Sequence, residues 1–246
     1  MYINVNMKKF LLLSGLIVVS CVTKTNASKF DYKIDKPDIV FFDYNGTLYD
    51  DKTMLNKGCK KYCKWKTYED KKMFDKLSVG KKYDFLSTKL GNDILNQIYD
   101  YLVAQPFKIV NGADVLLKEL QRQNIVSYVV TGYDGQKVRK WLTNAKLSQY
   151  FHGIYGANDF GDLQKPNKDF ADKIKEVVRL KNQKCWMIGD SEQDIVMAKN
   201  LGCKCFIIDN FEEIKQNYKY LIDKNVSFMK YDDILNFVKN GYKHNY

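Results

Sequence analysis

The sequence predicts an α/β fold in which a parallel sheet carries a helical segment inserted after its first strand. Two observations favour this class. Short runs of β-branched and aromatic residues, typical of buried parallel strands, alternate along the chain with longer segments of periodic apolar residues. The segment 51–105, which follows the first such run, has helical periodicity and no convincing buried strand. The rest of the chain is long enough for one well-buried α/β domain.

The first predicted strand is Ile39–Phe42, and Asp43 follows it directly. The Asn45-Gly46 dipeptide predicts a sharp turn immediately after this strand. Open α/β sheets bind ligands at the carboxyl ends of their strands, so the Asp43 carboxylate is a candidate for chemistry. An Asp that only caps the turn is the competing interpretation of this segment taken alone.

The inserted segment is predicted to be helical and lysine-rich. Residues 57–76 are compatible with a helix, and Gly91-Asn92-Asp93 is a candidate interruption of a second one. Pro106 is predicted to begin the return to the core. Apolar residues recur every four positions, as in an amphipathic helix, at Leu86, Leu90, Ile94, Ile98 and Leu102.

Three later segments carry polar residues at the ends of predicted elements. They are the strand 125–130 with Thr131 and Gly132, the helix opened by Lys165 and Pro166, and the strand 185–189 with Asp190 and Asp194. Other predicted elements complete the core. They are helices within 115–120 and 138–142, a strand at 205–208, and a last strand and helix at 226–228 and 232–238.

In this order, and over about residues 38–210, the four segments resemble the motifs of the haloacid dehalogenase superfamily of aspartate-nucleophile hydrolases. Within it they resemble the phosphoglycolate-phosphatase-like branch. The resemblance implies a Rossmann-like parallel sheet core, residues 28–50 and 106–246, with a small all-helical cap at 51–105. It also implies a Mg²⁺-dependent phosphatase-type hydrolase of a small phosphorylated metabolite, acting through an aspartyl-phosphate.

The resemblance gives each polar residue an expected role, and elementary chemistry agrees. Hard oxygen ligands suit Mg²⁺, while a lysine and hydrogen-bond donors offset the charge of a phosphoryl group. A helix cap is a compatible interpretation of the last two acids, and we expect Asp194 to orient the site rather than to contact the metal first. The expected catalytic residues are Asp43 and Lys165, the substrate-binding residues Asn45, Thr131, Gly132 and Lys165, and the metal ligands Asp43, Asn45, Asp190 and Asp194.

Asn45 departs from the family pattern, which usually has a second Asp there as general acid and base. An amide forms hydrogen bonds but does not shuttle protons near neutral pH. Three consequences of this change are compatible with the sequence. The enzyme is slower, it prefers substrates with good leaving groups, or another acid such as Asp50 replaces the missing one. The alternative function is a catalytically weak phosphate-binding or scaffolding protein. Related carbon–halogen or carbon–phosphorus hydrolases are a further alternative, although halide chemistry does not need Asp190.

The chain has a formal net charge of +11. One interpretation is attraction of an anionic substrate, and the other is a lysine-rich composition on solvated helices. No nucleic-acid-binding motif is present, so the expected partner is a small anionic phosphorylated substrate.

Residues 1–27 predict a signal peptide or a lipoprotein or membrane anchor. Lys8 and Lys9 precede an apolar run, 10–19, of signal-peptide length. Residues 18–21 resemble a bacterial lipobox ending at Cys21, and cleavage after Ala27 is the alternative. We expect an exported or membrane-anchored protein, with a cytoplasmic one as the alternative. The odd number of cysteines beyond Cys21 predicts reduced thiols or at most partial pairing, without zinc.

Overall fold

A computed structural model of the chain describes residues 34–77 and 79–240. The predicted leader 1–27, its lipobox at Cys21, and the outermost parts of the predicted core, 28–33 and 241–246, lie outside the described residues. Export and membrane anchoring therefore stay predictions. Within the described ranges, no helix combines the length and apolar character needed to cross a membrane.

Among the described residues, six parallel strands form one sheet, which confirms the predicted α/β class. In chain order they are β1 (Ile39–Phe42), β2 (Val126–Asp134), β3 (Gly153–Ala157), β4 (Cys185–Gly189), β5 (Lys204–Ile207) and β6 (Val226–Phe228). Their spatial order is β3-β2-β1-β4-β5-β6. Phe42 of β1 is in register with Val129 of β2 and Ile188 of β4. Asp43, Thr131 and Asp190, which lie one or two residues beyond these positions, therefore meet at the carboxyl edge of the sheet.

Residues 51–104, here called the helical insertion, lie between β1 and β2, and their described parts, 51–77 and 79–104, contain four helices. They are α1 (Asp51–Tyr62), α2 (Tyr68–Lys76), α3 (Val79–Leu90) and α4 (Asn92–Ala104). The segment 57–76, predicted as helix-compatible, is two helices with a break at 63–67, and Thr67 caps the second by accepting a hydrogen bond from Asp70 N. The apolar stripe 86–102 is likewise interrupted at Gly91, whose φ is +90°.

The remaining helices cover the two faces of the sheet. They are α5 (Ala113–Arg122), α6 (Gly135–Asn144), α7 (Lys168–Val178), α8 (Glu192–Leu201), α9 (Phe211–Asn217) and α10 (Tyr231–Lys239). Because side chains alternate along β1, Val40 packs in one apolar cluster with α5 and α10, and Phe41 packs in another with α7 and α8. Burial on both faces explains the continuous apolar runs of the central strands.

Strand β3 was missed by the sequence analysis. It lies at the edge of the sheet beside β2, with Tyr128 in register with Gly153. Two glycines, Gly153 and Gly156, frame only Ile154 and Tyr155 in it. Such a short run with glycine in it carries almost none of the β-branched signal that marks the central strands.

Cys185, the first residue of β4, forms a disulfide with Cys203, which precedes β5. Cys59, Cys63 and Cys205 are free thiols. One pair agrees with the expectation of at most partial pairing.

We expect reduction of this disulfide to lower the free energy of unfolding by about 3 kcal/mol, because it releases a loop of about 15–20 residues in the unfolded chain. Urea unfolding with and without dithiothreitol measures the effect. The double variant Cys185→Ser/Cys203→Ser is the control and should not respond to the reductant. Equal midpoints for the oxidised and the reduced wild-type protein would contradict the prediction.

Candidate active site

The residues that end β1, β2 and β4 line one cavity of about 350 Å³ at the carboxyl edge of the sheet. Asp43 and Asn45 come from the turn after β1, and Lys165 from the loop before α7. Two residues of α3 in the helical insertion, Lys81 and Tyr83, also line the cavity. The candidate site therefore lies where the helical insertion meets the sheet edge.

The turn after Asp43 depends on Gly46. Its φ is +69°, a conformation that favours glycine, and an added Cβ would lie 2.1 Å from Oδ2 of Asp190. Glycine therefore lets the carboxylate that follows β4 approach the turn that follows β1. The Asn45-Gly46 signal in the sequence thus marks both a turn and a close approach.

Lys165 bridges two buried carboxylates. Its Nζ donates a hydrogen bond to Oδ1 of Asp43 at 2.7 Å and another to Oδ1 of Asp194. Burial disfavours the charge of Lys165, but the carboxylates of Asp194 and Asp43 more than offset this and raise its pKa above the usual range. Lys165 therefore stays cationic and fixes the orientation of the Asp43 side chain.

Both carboxylate oxygens of Asp194 are engaged within the protein. Oδ1 accepts from Lys165, and Oδ2 accepts from the backbone N–H groups of Asp190 and Ser191 and from the Ser191 hydroxyl. Gly189 makes room for this carboxyl group, because an added Cβ would lie 2.0 Å from its Cγ. These contacts agree with the helix-cap interpretation of Asp194, and its predicted role as a direct metal ligand stays a prediction.

Asp43, Asp190 and Asp194 each place a carboxylate oxygen within 4.8 Å of the others. Burial raises the pKa of Asp43 to about 6, although Lys165 opposes the shift. Burial, followed by the charges of Asp194 and Asp43, raises the pKa of Asp190 well above its usual range. One lysine does not balance three carboxylates, and the unbalanced oxygen-rich cluster fits a hard divalent cation such as Mg²⁺.

The other predicted site residues lie in the same cavity. Thr131 is buried, and its Oγ1 accepts a hydrogen bond from Tyr133 N at 3.1 Å. Gly132 and Asn45 line the cavity beside it. The structure thus brings together all the expected catalytic, substrate-binding and metal-binding residues, with Asp194 behind Lys165 rather than on the cavity wall.

Asp51, the first residue of α1, was missed by the sequence analysis. It is buried on the cavity wall, and its Oδ1 has no hydrogen-bond partner among the described residues. Burial and then the charge of Asp43 raise its pKa to about 7. Asp50, the substitute acid suggested by the sequence, instead caps α1 through Thr53 N and pairs with Lys108. The sequence has two consecutive acids, Asp50 and Asp51, at the start of α1. Only one of them serves as the helix cap, so the pair was the available signal that the other has a different role.

The comparisons with known proteins agree with this geometry. The family model described as haloacid dehalogenase-like hydrolase matches residues 40–208. The chain belongs to this family. The resemblance inferred from the four motifs is therefore confirmed, and phosphoglycolate phosphatases among the curated relatives support the predicted branch.

Two curated relatives and one solved structure show the extent of the similarity within this family. The phosphoglycolate phosphatase of Vibrio parahaemolyticus is 31% identical over 116 residues, which cover 47% of this chain and 50% of the relative. The pyrophosphatase PpaX of Bacillus cereus is 31% identical over 88 residues, 36% of this chain and 40% of the relative. This chain thus spans about half the length of the curated relatives it matches. The Bacillus subtilis hydrolase YfnB, solved with magnesium, has a TM-score of 0.66 at 18% identity and covers 83% of this chain and 99% of its own, which shows the shared fold.

The acidic cluster predicts a pH-dependent stability for the metal-free protein. Asp43 and Asp51 have raised pKa values in the folded state, so between about pH 4 and 7 these two groups hold more protons in the folded protein than in the unfolded chain, and their contribution to stability falls as the pH rises. Mg²⁺ binds the deprotonated carboxylates and should restore about 2–3 kcal/mol at pH 8 when its concentration is about 100 Kd, and much less at pH 5.

Melting temperatures at both pH values, with and without MgCl2, measure this effect. Asp190→Asn is the matched control, because it keeps the side-chain volume and removes one carboxylate from the cluster. A stabilisation by Mg²⁺ that is as large in Asp190→Asn as in the wild type would contradict the assignment of the cation site.

Proposed function

We propose that this protein is a Mg²⁺-dependent phosphatase of small phosphorylated metabolites with Asp43 as the nucleophile. One observation carries the proposal. Lys165 holds the buried Asp43 carboxylate at the sheet edge, and the Asp190 carboxylate lies close enough to share a cation with it. An anionic carboxylate attacks an anionic phosphate ester only where nearby positive charge offsets the repulsion between them.

The residues of the chain divide the chemistry among them. Asp43 attacks phosphorus and forms an aspartyl-phosphate, which water then hydrolyses. Lys165, the Thr131 hydroxyl and the backbone at Gly132 bind the phosphoryl oxygens. Mg²⁺, held by Asp43 and Asp190, would offset the charge of the phosphoryl group. The helical insertion closes one side of the cavity and limits the access of water.

The printed names of the relatives support this class of substrate. The two curated relatives are named as a phosphoglycolate phosphatase and a pyrophosphatase, and the YfnB structure is described as bound to magnesium. Each of these names concerns the relative itself, and together they favour phosphate chemistry over carbon–halogen chemistry for this chain. The carboxylate of Asp190 in the cluster favours the same choice.

Asn45 favours one second candidate, a protein that binds phosphate compounds with little turnover. Asn45 lines the cavity at the position where the family usually has its proton-transferring Asp. Without that acid, the loss in rate is about 10²–10⁴-fold if no other group replaces it.

Two substitutions separate these functions. Asp43→Asn should abolish the release of phosphate, because an amide does not attack phosphorus. Asn45→Asp should keep or raise the rate, by up to about 10²–10⁴-fold if proton transfer limits the reaction. The assay measures inorganic phosphate from a panel of phosphate esters, with MgCl2 or with EDTA, and melting curves verify that each variant is folded.

Full activity in Asp43→Asn would refute the nucleophile assignment. A wild-type protein that binds phosphate esters but releases no phosphate from any of them would favour the second candidate.

A further inference from the structure

A second cavity, of about 510 Å³, adjoins the candidate active site. Asn45, Tyr83 and Tyr133 line both cavities, so the two are continuous around these side chains. The second cavity lies between the helical insertion and α6 of the core, and its volume is in the range of small-molecule sites. We call it the aromatic cavity, after six residues on its wall, Tyr44, Tyr49, Tyr83, Tyr99, Tyr133 and Trp141.

The rings of this wall contact one another from the helical insertion to the core. Ring centroids are 5.5 Å apart between Tyr83 and Tyr99, 6.1 Å between Tyr99 and Tyr133, and 5.5 Å between Tyr133 and Trp141. Trp141 in turn lies 5.9 Å from Tyr44, the residue beside the nucleophile. Packed rings of this kind present a preorganised apolar surface, because each ring restrains its neighbour.

The charges of the residues that line the aromatic cavity also bear on the kind of group that it binds. The chain has an excess of basic residues and a net charge of +11. Yet no Lys or Arg is among the described residues that line the aromatic cavity, where Asp114 is the charged group. A carboxylate or a second phosphate on the substrate would find no cation there. The described lining therefore offers ring contacts to an uncharged aromatic group but no cation to a second anionic group of the substrate.

Asn45 independently favours the same kind of substrate. It lies at the junction of the two cavities, where the leaving group would separate from phosphorus. An amide does not protonate that group. A phenol, with a pKa of about 10 as in tyrosine, departs as its anion far more readily than an aliphatic alcohol.

We propose that the aromatic cavity binds the leaving group of the substrate and that this site hydrolyses aryl phosphate monoesters. This inference rests on the proposed phosphatase function and names its substrate class. Asp43 forms a bond to phosphorus while the bond from phosphorus to the phenolic oxygen breaks, and the phenolate leaves with the electron pair. Water then releases dihydrogen phosphate and restores the Asp43 carboxylate. The phenolate finally takes one proton from that product.

Three esters separate the two parts of the proposal. Benzyl and butyl phosphate both release aliphatic alcohols, and only benzyl phosphate carries a ring. Phenyl phosphate adds the better leaving group. We expect kcat/KM to be about tenfold or more higher for benzyl than for butyl phosphate, from ring contacts, and higher again for phenyl phosphate. Equal values for benzyl and butyl phosphate would overturn the proposal. So would a preference for phosphocholine over benzyl phosphate, because aromatic walls also bind quaternary ammonium groups.

A matched pair of tryptophan variants tests whether the leaving group binds in the aromatic cavity. Trp141→Leu removes a ring from the aromatic cavity and should reduce the ratio of benzyl to butyl kcat/KM by about tenfold. Trp65→Leu is the control, because Trp65 packs against Phe74 and Phe85 inside the helical insertion and lines neither cavity. It should keep the ratio of the wild type. A reduced ratio of benzyl to butyl kcat/KM in both variants, or an unchanged ratio in both, would overturn the assignment of the leaving-group site to the aromatic cavity.

Calorimetry with Asp43→Asn distinguishes failure of this inference from failure of the proposed function. This variant, with MgCl2, should bind benzyl phosphate about tenfold more tightly than butyl phosphate. If the wild type hydrolyses no ester but this difference is observed, the phosphatase function fails and the aromatic cavity stands as a binding site. Equal affinities would overturn the aromatic cavity whether or not the wild type is active.

Discussion

The interaction on which the rest of the site depends is the bridge from Lys165 to Asp43 and Asp194. Three buried charged side chains meet at the carboxyl edge of the sheet, where Lys165 donates a hydrogen bond to each of the two carboxylates. Breaking such a pair by removing one partner typically costs about 3–5 kcal/mol. The bridge orients Asp43, and through Asp194 it also fixes the turn that carries Asp190. Stability and chemistry are therefore coupled in the same few side chains.

The bridge leaves the cluster with an excess of negative charge, and the two cavities beside it differ in the side chains that line them. The cavity at the sheet edge combines carboxylates with Lys165 and suits a cation and a phosphoryl group. The neighbouring aromatic cavity lacks basic side chains among its described lining and suits an uncharged ring. Asn45 lines both cavities, so the residue that departs from the family pattern lies where the proposed phosphoryl site meets the proposed leaving-group site.

The parts of the fold and site that could be predicted are those encoded locally. A continuous apolar run predicts β1 and β4, and a polar residue at the end of each predicts Asp43 and Asp190, since parallel strands align their carboxyl ends. Long-range packing could not be predicted. The roles of Asp194 and Asp51 depend on which carboxylate oxygens remain free once the Lys165 bridge and the cap of α1 are formed. The aromatic cavity joins residues between 44 and 147 that share no local pattern.

The central claim is that Asp43, with Mg²⁺, forms a bond to phosphorus. Beryllofluoride tests it most directly, because it mimics a phosphoryl group on a carboxylate without requiring turnover. Fluorine NMR should show a bound beryllofluoride signal in the wild-type protein only when Mg²⁺ is present, and no such signal in Asp43→Asn. A bound signal of equal intensity in Asp43→Asn, or no bound signal in the wild type with Mg²⁺, would contradict the account.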